Sequence, residues 1–96
     1  MDEDQFEWDA AKGESNLEKH GVSFEAARRV FDDVFACERF DLDSEPGEIR
    51  NVITGIVNDV ILTVVYTERG ERIRIISARR ATKHEQKEYY RSQTAE

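Results

Sequence analysis

The sequence predicts a small α+β domain in which helices precede and follow one antiparallel sheet. Three observations carry this prediction: apolar residues at helical spacing near the N-terminus, β-rich runs joined by tight turns, and a helix-capping signature near the C-terminus. The 96 residues are enough for one domain, which we assign to residues 1–96. We expect a three-stranded C-terminal meander, one or two further strands, two N-terminal helices and a C-terminal helix.

The N-terminal segment predicts a short strand followed by two capped helices. Apolar and polar residues alternate over residues 6–8, and Asp9 can then cap a helix over residues 10–20 that Gly21 ends. Ser23 can cap a second helix. The apolar stripe of that helix consists of Phe24, Ala27, Phe31 and Val34.

The middle of the chain changes to a strand pattern. Four β-rich runs occupy residues 35–42, 50–57, 60–68 and 72–78. Turn residues separate the last three runs, Asn58-Asp59 in one case and Arg69-Gly70 in the other, so we expect these three strands to pair antiparallel. Residues 41–47 gather Asp, Ser, Pro and Gly, which predicts a turn inside the domain.

The C-terminal segment predicts one more helix. Thr82 and Glu85 have the spacing of a capping box, which begins a helix from residue 83 to about residue 93. Tyr89 and Tyr90 are expected to dock this helix on the domain, and Tyr66 alternates with Val64 as a core residue does. Cys37 lies in an apolar stretch of the sequence, so we expect it to be a buried and inert thiol.

Composition excludes several kinds of site and compartment. With Cys37 as the single cysteine, an internal disulfide is impossible, and His20 and His84 are too few for a Cys/His zinc site. No phosphate-binding loop, nucleophile elbow or acidic cluster with metal-ligand spacing occurs, so we expect chemistry without a metal or cofactor. The acidic N-terminus lacks a signal peptide, and no apolar run could span a bilayer, so we expect a cytoplasmic protein without membrane contact.

The charges are segregated along the chain. The net charge is −7, which counts against nucleic-acid binding. Residues 1–48 nevertheless carry fifteen acidic and five basic residues, whereas residues 49–96 carry six acidic and nine basic ones. The segment from Arg69 to Arg91 contains eight basic and three acidic residues. Such a chain can present a basic face to a phosphate or an acidic partner while being acidic overall.

Two groups of residues could carry chemistry. The first is a stripe on the first helix at helical spacing, Lys12, Asn16, Lys19 and His20. This stripe is either a solvated helix face or a histidine that exchanges protons beside cations that hold an anion. The second is an arginine group on and around the last strand, Arg69, Arg72, Arg74, Arg79 and Arg80.

The alternation of side chains along a strand arranges the arginine group. Arg72 and Arg74 then share the outer face of the sheet, with Ile73 and Ile75 turned into the core. Arginine binds phosphate through two parallel hydrogen bonds and keeps its proton, so the group suits a phosphodiester. The alternative is cross-strand pairing with Glu48, Glu68 and Glu71. Glu48 itself is either a general base or the partner of an arginine.

The order of these residues resembles one known protein family. The N-terminal half carries Phe6-Glu7-Trp8-Asp9, Lys12, Asn16, Lys19-His20-Gly21-Val22-Ser23-Phe24-Glu25-Ala26-Ala27 and Val30-Phe31-Asp32-Asp33. The C-terminal half carries Gly47-Glu48, Arg50, Gly55, Val64-Val65-Tyr66-Thr67-Glu68-Arg69 and Ile73-Arg74-Ile75-Ile76-Ser77-Ala78-Arg79-Arg80-Ala81-Thr82. Together these runs resemble the BrnT toxins of bacterial type II toxin–antitoxin modules over about residues 6–90.

The resemblance implies a RelE-like α+β fold that cleaves RNA without a metal in the bacterial cytoplasm. It also implies inhibition by a BrnA-type antitoxin in a 2:2 assembly, in which a ribbon-helix-helix part of the antitoxin binds operator DNA and the complex represses its own operon. The implied catalytic residues are His20, Glu48, Arg69, Arg74 and Arg79. The implied RNA-binding residues are Lys12, Lys19, Arg50, Arg72 and Arg80.

Three readings of the function are therefore open. The first is a ribonuclease toxin in which His20 or Glu48 transfers protons and the arginines bind phosphate. The second is a non-enzymatic module that binds an antitoxin and assists repression, or a weakened toxin without nuclease activity. The third is a replication poison that acts on a topoisomerase, because one fold can host several activities.

Overall fold

The computed structural model describes residues 5–41 and 47–94 and shows an α+β fold. Its five-stranded mixed sheet has the strand order β1-β5-β4-β3-β2. The strands are β1 (Phe6–Glu7), β2 (Cys37–Phe40), β3 (Asn51–Val57), β4 (Val60–Arg69) and β5 (Arg72–Arg80). The helices are α1 (Ala10–His20), α2 (Phe24–Arg28), which a 3₁₀ turn over Arg29–Asp32 continues, and α3 (Lys83–Thr94).

The predicted antiparallel meander is confirmed. β3 pairs with β4 and β4 with β5, both antiparallel, and β2 adds antiparallel to β3. Asn58 and Asp59 adopt φ values of 49° and 69°, the left-handed conformation that a two-residue turn between twisted strands requires. The interior of the predicted turn at 41–47, residues 42–46, lies outside the described residues, as does the predicted end of the preceding strand at Leu42.

The expectation of an all-antiparallel sheet is wrong at one edge. β1 pairs parallel to β5, with Phe6 opposite Ile73 and Glu7 opposite Arg74. The chain leaves β1 into α1 and reaches β5 only after the rest of the sheet, so the two strands can run in the same direction. This pairing buries Phe6 in the core and places Glu7 beside Arg74.

The first helix begins and ends as the sequence predicts, and the second is shorter. The Asp9 carboxylate accepts the backbone N–H of Ala11 at 2.8 Å, and Gly21 ends α1 with φ of 70°. The second helix does not extend to Val34, whose side chain is 88% exposed. The Asp33 carboxylate accepts the N–H groups of Phe35 and Ile56, at 2.9 and 2.8 Å, which ties this backbone to β3 instead of a further helical turn.

The main core lies between the sheet and the two N-terminal helices. Its central buried side chains are Phe24, Val30, Val64, Tyr66 and Ile75. The backbone of β3 approaches the 3₁₀ turn so closely that a Cβ at Gly55 would meet Val30 Cγ1 at 2.9 Å. Glycine is therefore required where these two layers meet.

The last helix covers part of the opposite sheet face. Tyr89 is 2% exposed and packs with Ile61 and Ala81, and its hydroxyl donates to Asp33 at 2.6 Å. Tyr90 does not dock the helix as predicted, because its side chain is 52% exposed and only its ring edge meets Tyr89. Cys37 is half-buried instead of buried, with its Sγ 2.9 Å from the Ser92 hydroxyl.

The side chain of Asn16 bonds the backbone of β5 at Ala78, where the described part of the sheet has no further strand. Asn16 donates to the carbonyl of Ala78 at 2.8 Å and accepts the N–H of the same residue at 3.1 Å, so its amide replaces a neighbouring strand. It also donates to the carbonyl of Val22. None of the helices in the described part of the chain has the length and apolar character needed to span a bilayer.

Candidate functional site

A bulge in β5 decides which side chains share a face of the sheet. Val65 lies opposite Ser77 and Tyr66 opposite Ile75, so Ile76 is left without a partner on β4. Side chains five positions apart normally lie on opposite faces of a strand. The extra residue reverses that rule and places Arg74 and Arg79 on the same face.

We call this surface the arginine face: the side of the sheet opposite α1 and α2 that carries Arg39, Arg69, Arg72, Arg74 and Arg79. The cross-strand register supports the assignment, because Arg74 lies opposite Thr67 and Arg79 opposite Thr63, while the alternate residues Val64 and Tyr66 enter the main core. Arg80 lies opposite the core residue Leu62 and therefore points to the other side. The bulge separates Arg80 from the group in which the sequence had placed it.

The Glu85 carboxylate joins two arginines at the end of the arginine face beside α3. Both nitrogens of the Arg79 fork donate to Glu85, at 2.7 and 3.0 Å, and Arg39 donates to the same carboxylate at 3.3 Å. Thr63 adds its hydroxyl and Thr82 its backbone N–H, at 3.0 and 2.9 Å. The predicted capping box is confirmed, and Glu85 has this second role in addition to it.

The electrostatics of this group keep Glu85 ionised. Burial of the carboxylate acts to raise its pKa, yet the hydrogen bonds from Arg79, Thr82 and Thr63 and the charge of Arg79 outweigh it and lower the pKa to about 2. The same pairing raises the pKa of Arg79 against the effect of burial. The Glu85 carboxylate is thus shared by two guanidinium groups, and the hydrogen bonds hold both of them in place.

A groove of about 540 Å³ opens beside this group. Its lining includes the carboxylates Glu38, Glu85 and Glu88 together with Arg39 and His84. Sequence reasoning missed Glu85 and His84 as site residues and used Glu85 only as a helix cap. The available signal was their position four and five residues after the end of the arginine-rich strand.

A second groove, of about 570 Å³, lies at the other end of the sheet. Glu48, Thr67 and Arg69 line it, and Arg50 donates to Glu48 at 2.9 Å. This hydrogen bond lowers the pKa of Glu48 against the effect of desolvation, and the positive charges of Arg50, Arg69 and Lys12 add to it. The structure therefore places three of the other sequence-predicted site residues, Arg50, Arg69 and Lys12, close enough to Glu48 to act on its charge.

The arginines have different carboxylate partners from those that the sequence indicated. Arg74 pairs with Glu7 across β1 and β5 at 3.0 Å, and Arg79 pairs with Glu85. Arg69 and Arg72 lie opposite each other at the hairpin, and neither side chain forms a hydrogen bond or ion pair with any residue in the described ranges. Glu68 and Glu71 do not neutralise the group within that part of the structure. The arginine face therefore retains uncompensated positive charge.

The stripe on α1 is not a single functional face. Asn16 is buried against β5, whereas Lys12, Lys19 and His20 are exposed. Lys19 and His20 lie in the last turn of α1, where positive charge complements the helix dipole. Within residues 5–41 and 47–94, no hydrogen bond or ion pair joins His20 to Glu48 or to an arginine. No group of three or more His, Cys, Asp or Glu side chains in those ranges could hold a metal ion.

Comparison with protein families gives an unambiguous match. The family model for the ribonuclease toxin BrnT of type II toxin–antitoxin systems matches residues 8–85, most of the chain. The chain belongs to the BrnT family. The resemblance seen in the sequence is therefore confirmed, and membership implies an RNA target and an antitoxin partner. A search of curated proteins gave no match.

The BrnT match includes every residue that lines the two grooves except Glu88 and Ser92. It spans α1, the whole meander and the capping box, and it ends where α3 has completed only its first turn. The remaining residues of α3, including Lys87 and Tyr90, lie beyond the matched segment.

Proposed function

We propose that this BrnT-family protein is an endoribonuclease that binds RNA on the arginine face and cleaves it without a metal ion. The observation that carries the proposal is the β5 bulge, which aligns Arg74 and Arg79 on one surface. At about 3.3 Å per residue these two positions lie about 16 Å apart, a span that an RNA backbone crosses with several phosphates. Arg69 and Arg72 extend the same surface to the groove around Glu48.

The proposed reaction is attack of the ribose 2′-oxygen on the adjacent phosphorus. The new P–O2′ bond forms as the P–O5′ bond breaks, one group removes the 2′-hydroxyl proton, and another supplies a proton to the leaving 5′-oxygen. Guanidinium groups stabilise the negative charge that accumulates on the non-bridging oxygens. The products are a 2′,3′-cyclic phosphate and a 5′-hydroxyl end.

Glu48 is the proposed proton acceptor, in preference to His20. Glu48 shares a groove with Arg69, and the cations around it keep it ionised at neutral pH. His20 has no described contact that would hold it beside a phosphate-binding arginine. A carboxylate base with a lowered pKa is weak, so most of the catalytic effect has to come from positioning and charge stabilisation.

Glu85 is proposed to position Arg79 and Arg39 and does not itself act on RNA. Its carboxylate accepts from both terminal nitrogens of Arg79 and from one terminal nitrogen of Arg39. Each guanidinium group has five N–H donors, so both retain donors for a phosphate. The Glu85 charge fixes the two groups side by side, which reduces the entropy lost when a phosphodiester binds.

The remaining features follow from the family resemblance and are part of the proposal. They are the RelE-like character of the fold, action in the bacterial cytoplasm, and neutralisation by a BrnA-type antitoxin in a 2:2 assembly. The ribbon-helix-helix part of the antitoxin would contact operator DNA, and the toxin would join repression through the antitoxin alone. The acidic N-terminal half supports this division, because it disfavours direct contact of the toxin with duplex DNA.

The test is cleavage of RNA by the purified chain with and without EDTA, comparing Glu48→Gln with His20→Gln. We expect cleavage that survives EDTA, a loss of at least about 100-fold in Glu48→Gln, and a rate within about twofold of the parent in His20→Gln. The rate should stay level as pH falls from 8 to 5, because Glu48 remains ionised there. An acid limb in the range where histidines titrate, between about pH 5 and 8, would assign the proton transfer to a histidine instead.

Two outcomes would replace the proposal. Intact RNA alongside tight antitoxin binding would identify a non-enzymatic binding module. Intact RNA together with DNA damage in cells that express the chain would identify a topoisomerase poison.

A further inference from the structure

The outward side of α3 carries a basic and aromatic surface that the proposed active site does not use. Glu85 and Tyr89 turn one side of α3 toward the sheet. The opposite side forms a groove lined by Lys83, Gln86, Lys87, Tyr90 and Arg91. These residues recur at spacings of three and four, so they form one continuous stripe over two turns of helix.

The charges of this stripe are positive and largely uncompensated. Glu88 pairs with Arg91 of the stripe at 3.1 Å, and Glu85 pairs with Arg79 on the other side of α3, so the positive charge that is left on the stripe is that of Lys83 and Lys87. Lys83 and Lys87 form no ion pair with any carboxylate in residues 5–41 and 47–94. Lys83 is also the first residue of α3, where a positive charge opposes the helix dipole and lowers helix stability. A lysine in that position favours an anionic partner over a purely structural role.

Tyr90 supplies the aromatic part of the surface. Its side chain is 52% exposed, and its ring is held at one edge by Tyr89, with centroids 5.3 Å apart. A half-exposed tyrosine of fixed orientation beside lysines is the arrangement on which the bases of single-stranded nucleic acid stack. The phosphates and bases of a single strand would use both the lysines and the tyrosine, whereas the carboxylates of an acidic peptide would use the lysines alone.

We propose that the outer side of α3 binds single-stranded RNA outside the cleavage site, with Lys83 and Lys87 on phosphates and Tyr90 stacked on a base. This inference rests on the proposed function, since it extends the path of the same substrate. β5 ends at Arg80 and α3 begins at Lys83, so RNA leaving Arg79 can reach the helix directly. The surface lies mostly outside the segment that matches the BrnT family model.

The test measures binding of a single-stranded 2′-O-methyl oligonucleotide of twelve nucleotides, which cannot be cleaved because its 2′-oxygen is blocked. Lys87→Gln should weaken binding about three- to tenfold at low salt, and Lys83→Gln/Lys87→Gln should reduce the slope of log K against log salt by about 1.4. Tyr90→Ala should weaken binding about tenfold, and Tyr90→Phe should restore the affinity of the parent. Arg29→Gln is the matched control, because it removes one exposed positive charge from the 3₁₀ turn that follows α2, away from α3 in the sequence.

Each further result decides the inference. Unchanged affinity in Lys83→Gln/Lys87→Gln and in Tyr90→Ala would overturn it, as would failure of the parent to bind. Equal losses of oligonucleotide affinity in Lys87→Gln and Arg29→Gln would mean that the positive charges attract RNA nonspecifically, which would also overturn the inference. If the lysine variants lose antitoxin affinity and keep RNA affinity, the surface belongs to the antitoxin. Intact cleavable RNA with tight binding of the methylated oligonucleotide would refute the proposed ribonuclease and leave this RNA surface standing.

Discussion

Glu85 combines two duties that are usually carried by different residues. Its carboxylate accepts the N–H of Thr82 as a helix cap and holds the guanidinium groups of Arg79 and Arg39. The capping duty could be predicted from sequence because it depends on a spacing of three residues. The arginine contacts could not, because they depend on a bulge that brings Arg79 to the same face and on a strand more than forty residues earlier that carries Arg39.

Glu85→Gln separates these duties. Glutamine keeps an oxygen for the cap but loses the charge, so we expect the free energy of unfolding to fall by about 1–3 kcal/mol at pH 7 in a urea titration. Because the pKa of Glu85 is lowered to about 2 from an ordinary 4.5, its charge stabilises the folded chain above pH 4.5 and stops doing so as the pH falls toward 2. The difference between parent and variant should therefore shrink over that range. A difference independent of pH would contradict the charge-based explanation.

Replacing glycine by alanine should have opposite effects on stability at two positions. A Cβ at Gly55 would meet Val30 Cγ1 at 2.9 Å and the Asp33 carboxylate at 3.1 Å, so Gly55→Ala should destabilise the fold by about 1–3 kcal/mol. At Gly13, inside α1, the nearest atoms are 3.5 Å away, which is ordinary contact. Gly13→Ala should therefore stabilise the chain by about 1 kcal/mol. The unfolding temperatures of the two variants test this pair of predictions. Equal shifts of the same sign would contradict the close contact between β3 and the 3₁₀ turn.

Among the elements, the strands were predicted with their order in the chain, and the second helix was predicted with its Ser23 cap but too long. The meander follows from β-rich runs and from Asn58 and Asp59, which accept the left-handed conformation of the turn. The second helix was overextended because Phe31 and Val34 continue the apolar stripe. The Asp33 side chain, which bonds to β3 and to Tyr89 of α3, ends the helix through contacts distant in sequence. Nothing in residues 72–80 marks the β5 bulge, since it contains no glycine.

The free edge of β5 is closed by a side chain, and this makes one substitution informative. Asn16 satisfies both the N–H and the carbonyl of Ala78. In Asn16→Asp a carboxylate would replace the NH₂ group and face the carbonyls of Ala78 and Val22. We expect a loss of about 1–3 kcal/mol in urea unfolding at pH 7. Ser15→Ala, at the exposed neighbouring position, is the control, and equal stability of the two variants would mean that Asn16 does not close the edge.

For the molecule as a whole, the net charge of −7 proved a poor guide to partners. The folded sheet gathers the positive charge of the adjacent strands β4 and β5, and of Arg39 from the acidic half, on one face. Family membership accounts for the RNA target, and the arginine face is the surface on which we propose that RNA binds. The location of that face depends on the bulge, so sequence reasoning identified most of its arginines but grouped Arg80 with them.

The most direct measurement compares RNA cleavage by Arg74→Gln and Arg80→Gln under identical conditions. Both variants remove one arginine from β5, but Arg74 lies on the arginine face and Arg80 on the opposite side. Provided that both unfold at the temperature of the parent, Arg74→Gln should reduce the cleavage rate about 100-fold, and Arg80→Gln should change it by no more than about twofold. Equal losses in the two variants, or a larger loss in Arg80→Gln, would show that RNA is not cleaved on the arginine face.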